Sequence, residues 1–160
     1  MSDGELNAVE RGILDRAEVP LLAPLTVVTS WWERRHVDLM AEVGFDDMRV
    51  AHNAVMAYLP ADGMRLTDLA RTARISKQAM AELVADLEAK GYVKRIADPT
   101  DGRAKIITWD ERGHAAYEAT IKIFARIEQE VTAMVGQPAM TGLRNGLLTV
   151  FTALADPPTP

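Results

Sequence analysis

Apolar residues recur at steps of three and four along most of the chain, which is the spacing of one buried face of an α-helix. The first such stripe lies within residues 21–43, where Leu25, Trp32 and Leu39 share a face and Gly44 ends the pattern. The sequence therefore predicts a long amphipathic helix in this segment.

Five further helical segments follow, separated by short runs of glycine, proline and aspartate. Asp46 or Asp47 is of the residue type that caps a helix N-terminus, so the second helix is expected to begin there. Thr108, with Glu111 three residues later, has the spacing of a capping box and is expected to open a long helix. The predicted segments are 46–59, 66–72, 76–90, 110–135 and 139–154.

A single β-hairpin interrupts the helices. Residues 92–96 and 105–109 are short runs rich in β-branched and aromatic residues, and the segment between them carries Asp98, Pro99 and Gly102. One hairpin after a pair of short helices predicts a mostly α (α+β) fold of the winged helix-turn-helix type, with a two-stranded β-hairpin as the wing.

The composition excludes several classes of function. The chain has 160 residues, 48% of them apolar and none of them cysteine, so disulfides, thiolate metal sites and cysteine nucleophiles are excluded. The histidines at 36, 52 and 114 lack metal-ligand spacing, and no nucleophile elbow or glycine-rich phosphate loop is present. We therefore expect no enzyme, no metal and no cofactor. Without an apolar leader or a membrane-spanning run, the chain is expected in the cytoplasm.

Charge is distributed unevenly along the chain. The net charge is −5, but residues 65–105 hold nine Lys/Arg against six Asp/Glu. That segment is therefore +3 and the remainder is −8, which suggests a local footprint for an anion such as DNA. A mixed, solvated surface is the alternative interpretation, and charge by itself favours that alternative.

The segment that begins at residue 66 has the residue offsets of a helix-turn-helix. Two short helices that cross around a tight turn need apolar residues at fixed positions and a small residue, here Ala70, where they touch. Arg74 stands where the turn often has glycine, and because a positive φ costs an arginine roughly 1 kcal/mol, it favours a different type of turn. The apolar residues at the expected offsets are Leu66, Leu69, Ala73, Ile75, Met80 and Leu83.

The second of these helices has an outer face that suits the major groove of DNA. Gln78 has the hydrogen-bonding groups that pair with adenine, and Glu82 accepts a hydrogen bond from cytosine. Cations beside the N-terminus of this helix suit phosphates. An ordinary surface helix with a polar outer side is the alternative, and this segment by itself does not decide between the two. The candidate DNA-binding residues here are Arg74, Ser76, Lys77, Gln78, Ala81 and Glu82.

The predicted hairpin carries basic residues beside that helix. An arginine on such a hairpin reaches the neighbouring minor groove, where the negative potential is enhanced. Arg103 lies in the loop and Lys105 follows on the returning strand, while Asp101 is expected to orient the Arg103 guanidinium by a charge-assisted hydrogen bond. Turn formation alone would explain the aspartates, but after a helix-turn-helix at this spacing we expect Asp101, Arg103 and Lys105 to serve DNA binding.

Four motifs follow one another within the basic segment 65–105. They are Ile75-Ser76-Lys77-Gln78-Ala79-Met80, then Leu83-Val84 with Leu87-Glu88, then Gly91-Tyr92-Val93, and then Asp98-Pro99-Thr100-Asp101-Gly102-Arg103-Ala104-Lys105. In order and spacing these motifs resemble the MarR family of transcriptional regulators, and the likeness covers about residues 21–154. The wing motif is the most specific part. Thr100 departs from the family pattern, which often has a second arginine there, so Arg103 is the main wing candidate.

The resemblance implies a homodimer that binds an inverted repeat in double-stranded DNA. Residues 46–109 are then the DNA-binding lobe, and residues 12–45 and 110–155 form the helical dimerisation region from the N- and C-terminal helices. Residues 1–11 and 156–160 are expected to be flexible.

The resemblance also implies a sequence-specific regulator, with repression favoured, that is released or modulated by a small aromatic or anionic effector. Aromatic faces near cations suit an aromatic carboxylate, although burial in a core is the more frequent role of such residues. The alternative function is a winged-helix protein-interaction module without direct DNA binding. The candidate effector-binding residues are Trp31, Trp32, Arg35, His36 and His52.

Overall fold

The computed structural model describes residues 19–155, which form helices and one small antiparallel sheet. The fold is mostly helical, and this confirms the predicted fold class. The helices are α1 (Leu22–Glu42), α2 (Asn53–Met56), α3 (Leu66–Thr72), α4 (Lys77–Ala89), α5 (Glu111–Val135) and α6 (Gln137–Ala155). The strands are β1 (Met64–Arg65), β2 (Val93–Asp98) and β3 (Asp101–Trp109).

The sheet has the strand order β1-β3-β2, with both pairs antiparallel. The β2–β3 hairpin is longer than predicted, because its pairing continues to Asp98 opposite Asp101 after an irregularity at Ala97. Strand β1 was not predicted. Its two residues pair with Ile106 and Ile107, and a two-residue strand carries no alternating pattern of its own.

The start of the second helix was predicted wrongly. Helical structure begins with a 3-10 turn at Val50–His52 and continues into α2, rather than at Asp46 or Asp47. The Asp47 carboxylate does not cap a helix, because it accepts hydrogen bonds from the Tyr92 hydroxyl at 2.6 Å and from Arg112 Nη1 at 2.8 Å. The Asp47 carboxylate therefore binds Tyr92 and Arg112, which are distant in sequence, instead of a backbone N–H at the start of a helix.

The predicted cap of α5 was also wrong. Thr108 is a paired residue of β3, opposite Lys94, and does not cap a helix. Asp110 takes this place, since its Oδ1 accepts the backbone N–H of Glu111 at 3.0 Å and the Lys94 ammonium at 2.9 Å. Hydrogen bonding to these donors, with Lys94 the larger cause, lowers the pKa of Asp110.

Contacts divide the chain into two compact units, residues up to 121 and residues from 122 onward. In the first unit, α3 and α4 pack on each other and on the sheet, and Leu69, Met80 and Leu87 are completely buried. In the second unit, the rest of α5 and α6 carry an ion pair between Glu128 and Arg144, whose atoms are 2.6 Å apart. Among the described residues, no helix is both long and apolar enough to cross a membrane.

Candidate nucleic-acid interface

Helices α3 and α4 form the predicted helix-turn-helix. Ala70, at the close-contact position, and Met80 are both buried. Arg74 has a φ of 55°, so the turn keeps the left-handed conformation that glycine usually supplies, and the expectation of a different turn type was wrong. The turn is closed by the backbone N–H of Ile75, which donates to the carbonyl of Ala70 at 3.1 Å. Arg74 is exposed, so its side chain extends into solvent.

The N-terminus of α4 is capped by Ser76, as its residue type predicts. Ser76 Oγ accepts the backbone N–H of Ala79 at 3.1 Å. Beyond this cap, Lys77, Gln78 and Glu82 are exposed, and Ala81 is half-buried. Gln78 Nε2 donates to Glu82 Oε1 at 3.3 Å, so the two side chains proposed to read bases are hydrogen-bonded to each other without DNA.

The turn of the wing is held by Asp98, which is only 6% exposed. Its Oδ1 accepts the Thr100 hydroxyl at 2.7 Å and the Thr100 backbone N–H at 2.8 Å, while its Oδ2 accepts Arg65 Nε at 2.6 Å. These bonds, those from Thr100 first, hold the pKa of Asp98 well below its usual range. Thr100 therefore stabilises the turn, and Arg65, the N-cap residue of α3, ties the wing to the start of that helix.

Arg103 extends from the wing into solvent, with 97% of its side chain exposed. Its Nε is 3.7 Å from Asp101 Oδ1, which is too far for a hydrogen bond. Asp101 accepts the backbone N–H of Arg103 at 3.2 Å instead. The expected orientation of the guanidinium by Asp101 is therefore not present, and the carboxylate shapes the turn.

The cations of the basic segment 65–105 fall into two groups. Five of them form ion pairs at hydrogen-bonding distance with carboxylates: Arg65, Arg71, Lys90, Lys94 and Arg95. In the part of the chain that the structure describes, no carboxylate pairs with Arg74, Lys77 or Lys105. The cations without a close carboxylate, Arg103 included, thus lie on the turn, at the start of α4 and on the wing.

Comparisons with known proteins agree with this architecture. Residues 49–104 match the model of the MarR family. YdcH of Bacillus subtilis (strain 168), an uncharacterized HTH-type transcriptional regulator, is 26% identical over 120 residues, which cover 72% of this chain and 82% of that protein. The chain is therefore similar to the MarR family over its helix-turn-helix and most of the wing. Proteins of this family are transcriptional regulators and not enzymes, in agreement with the exclusion made from the sequence.

Solved structures of MarR-family regulators share the fold. The reduced form of MarR from E. coli aligns with a TM-score of 0.72 at 19% identity, over 82% of this chain and 96% of that one. MepR, a transcription regulator of the Staphylococcus aureus multidrug efflux pump MepA, aligns with a TM-score of 0.64 at 19% identity, over 84% and 98%. A mutant of S. aureus MepR bound to an oligodeoxyribonucleotide aligns with a TM-score of 0.57 at 19% identity, over 86% and 99%.

Asp86 of α4 is the centre of a polar network that the sequence did not reveal. Asp86 Oδ2 accepts hydrogen bonds from Lys90 Nζ at 2.9 Å and from His52 Nε2 at 2.8 Å, and it also pairs with Arg49. The bond from Lys90, followed by that from His52, holds the pKa of Asp86 well below its usual range. The signal available in the sequence is the spacing of Asp86 and Lys90, which are four residues apart on one helix. Nothing local marks Arg49 or His52 as their partners.

His52 was predicted as an effector-binding residue, and the structure places it in this network. Its side chain is completely buried. Its Nδ1 accepts the backbone N–H of Arg49 at 3.1 Å, so the ring proton of the neutral form sits on Nε2 and is donated to Asp86. Burial is the largest cause that lowers the pKa of His52.

The other effector candidates lie on α1. Trp31 and Trp32 contact each other edge to face, with ring centroids 6.4 Å apart, and Arg35 is half-buried one turn before Leu39. His36 is 5% exposed, and its Nε2 lies 3.1 Å from the Thr120 hydroxyl. Burial lowers the pKa of His36. His52 does not lie on α1 with these residues but is hydrogen-bonded to Asp86 of α4.

Proposed function

We propose that this regulator binds double-stranded DNA sequence-specifically, with α4 in the major groove and the wing in the adjacent minor groove. The observation that carries the proposal is where the cations without a carboxylate at hydrogen-bonding distance lie: Arg74 and Lys77 at the turn and the start of α4, and Arg103 and Lys105 on the wing. Cations without a carboxylate partner are the ones that exchange counterions for phosphates at the lowest cost. Because its ligand is genomic DNA, we place the protein in the cytoplasm.

Gln78 and Glu82 are the proposed base-reading residues. Gln78 pairs with adenine through two hydrogen bonds, and Glu82 accepts from the amino group of cytosine. Their mutual hydrogen bond is long, at 3.3 Å, and exposed, so opening it on DNA costs little. Ser76 and Ala81 allow the close approach of the helix, and Asp101 shapes the turn that presents Arg103.

The proposed DNA-binding form is a homodimer on an inverted repeat. Residues 46–109 form the DNA-binding lobe, and residues 12–45 and 110–155 form the dimerisation region, of which residues 12–18 lie outside the described part, as do the segments 1–11 and 156–160 expected to be flexible. Support comes from the large apolar residues of α6 that are exposed in a single chain, since patches of this kind mark interfaces. They are Leu143, Leu147, Leu148, Val150, Phe151 and Leu154.

A small aromatic or anionic effector is proposed to modulate DNA binding, with repression relieved when it binds. Trp31 and Trp32 offer apolar faces, and Arg35 is the nearest candidate cation along α1. Calorimetric titration with aromatic acids is expected to give a signal that is lost in Trp31→Ala or His36→Ala. Unchanged binding in both variants would remove this assignment.

The direct experiment is selection of binding sites from a random duplex library at moderate salt, with the wild type and Arg103→Ala. We expect an enriched inverted repeat with half-sites about 10 bp apart, and weaker binding by the variant. Absence of enrichment even at low salt would contradict direct DNA recognition. The alternative, a winged-helix module that contacts proteins, would then become the better description.

A further inference from the structure

The end of α4 rests directly on the first turn of α5. The backbone N–H of Asp110 donates to the carbonyl of Tyr92 at 2.9 Å. A Cβ placed on Gly113 would lie 2.0 Å from the same carbonyl oxygen, so only glycine allows this approach. The segment 90–92 that ends α4 and the first turn of α5 are therefore in backbone contact.

Arg112 adds a second connection between the same two elements. Its Nη1 donates to the carbonyl of Lys90 at 3.0 Å, and Lys90 is the C-cap residue of α4. The guanidinium lies 4.5 Å from the centroid of the Tyr92 ring. A cation at this place also complements the negative end of the α4 helix dipole.

Asp47 holds that arginine in place. Its two carboxylate oxygens accept Arg112 Nη1 at 2.8 Å and Nη2 at 3.0 Å, which is a bidentate pair. The Tyr92 hydroxyl donates to Asp47 Oδ1 at 2.6 Å, and Lys90 Nζ donates to the Asp47 carbonyl at 3.0 Å. Burial alone would raise the pKa of Asp47, but the hydrogen bonds from Tyr92 and Arg112 lower it below the ordinary value.

We propose that Asp47 and Arg112 are positioning residues, which fix the recognition helix α4 on the first turn of α5 and thereby set its DNA sequence specificity. The inference rests on the proposed function, because it assigns α4 the reading of bases. Neither residue needs to contact DNA. Through these contacts, α4 follows any rotation of the first turn of α5.

The test compares Arg112→Lys with Arg34→Lys, the same substitution at an exposed arginine of α1. Lysine keeps the charge but does not bind a carboxylate through two hydrogen bonds. For Arg112→Lys we expect the ratio of specific to non-specific DNA affinity to fall about tenfold, with an unchanged dependence on salt. Asp47→Asn is expected to give the same fall, and the double variant little more than either single one.

Alternative roles of Arg112 give other results. If it contacted a phosphate, replacement by glutamine would weaken specific and non-specific binding alike and flatten the salt dependence. If it only stabilised the fold, Arg112→Lys would lower the melting temperature and leave the specificity ratio of the folded protein unchanged. Either result would overturn the proposal.

A measurement without DNA separates this inference from the proposed function. Hydrogen exchange of the backbone amides of Lys90, Gly91 and Tyr92 is expected to be at least about tenfold faster in Arg112→Lys and unchanged in Arg34→Lys. Unchanged exchange at these amides would overturn the attachment of α4 to α5. If wild-type protein enriches no DNA site while exchange is faster in the variant, the proposed function fails and the attachment stands.

Discussion

The two ends of the recognition helix α4 contain similar charged residues in opposite states. At the N-terminal end, Arg74 and Lys77 are exposed, without a carboxylate partner among the residues that the structure describes. At the C-terminal end, Lys90 is bonded to Asp86 and to the Asp47 carbonyl, and Arg112 bonds to the Lys90 carbonyl. The cations at the N-terminal end can therefore bind an anionic ligand, whereas those at the C-terminal end already bind groups of the protein. We therefore expect that pairing with a carboxylate, more than position within the basic segment, decides which cations contact DNA.

The largest expected effect is on the free energy of unfolding, and it comes from breaking the contact between the C-terminal end of α4 and the first turn of α5. In Gly113→Ala, the new methyl group would lie 2.0 Å from the Tyr92 carbonyl oxygen, so the backbone of one element must shift. We expect the free energy of unfolding to fall by about 3 kcal/mol, measured by urea denaturation. The matched control is Gly102→Ala on the wing, where an added Cβ meets nothing within 4 Å. A loss of similar size in both variants would contradict the close approach at Gly113.

The next effect concerns pH and the buried His52, which contributes to the same end of α4. Burial lowers the pKa of His52 in the folded protein, while the unfolded chain has the ordinary value near 6.5. As pH falls below about 6.5, the unfolded chain therefore binds a proton that the folded chain does not bind, and stability decreases. Stability is fully present above that pH and is lost as pH falls toward the folded-state pKa.

The expected slope for one such group is at most about 1.4 kcal/mol per pH unit. Denaturation at pH 7.5, 6.0 and 5.0 tests it, since these values lie above the range in which carboxylates titrate. His36, whose pKa burial also lowers, contributes in the same direction. His52→Gln should remove part of the slope and leave the part due to His36. An identical slope in wild type and variant would show that His52 accepts a proton in the folded state.

The contrast between the two ends of α4 also explains which features could be predicted from the sequence. The cap at Ser76 and the buried Met80 follow from residues within one short segment, so periodicity and residue type suffice. The conformation of the turn was predicted wrongly, because Arg74 adopts the left-handed φ that its residue type disfavours. The pair between Asp47 and Arg112 joins residues 65 positions apart, and no local pattern marks it. Asp47 was taken for a helix cap because an aspartate in that place suits a local cap as well as a distant arginine.

The effector candidates do not all lie on one helix, for a related reason. Trp31, Trp32 and His36 share α1. His52 was included among the effector candidates because histidine has both aromatic and polar character. In the structure, its side chain is hydrogen-bonded to Asp86 on α4. Residue type indicates the chemistry available to a side chain, but the partner depends on tertiary packing, which a single sequence does not show.

The smallest expected effect tests the comparison most directly, because it makes the same change at both ends of α4. Lys77→Met and Lys90→Met each remove one charge and keep most of the aliphatic chain. If Lys77 contacts a phosphate, the salt dependence of DNA affinity weakens by about 0.9 per contact, or about twice that for a homodimer.

For Lys90→Met we expect an unchanged salt dependence and a lower melting temperature, because the ammonium group is used by Asp86 and the Asp47 carbonyl. Fluorescence anisotropy of a labelled duplex between 50 and 200 mM salt measures both slopes, and one lost contact per subunit corresponds to roughly a tenfold difference across that range for the dimer. Equal slopes in the two variants would mean that pairing with a carboxylate does not decide which cations serve DNA. A flatter slope in Lys77→Met alone would establish that the recognition helix meets DNA with one end and the protein with the other.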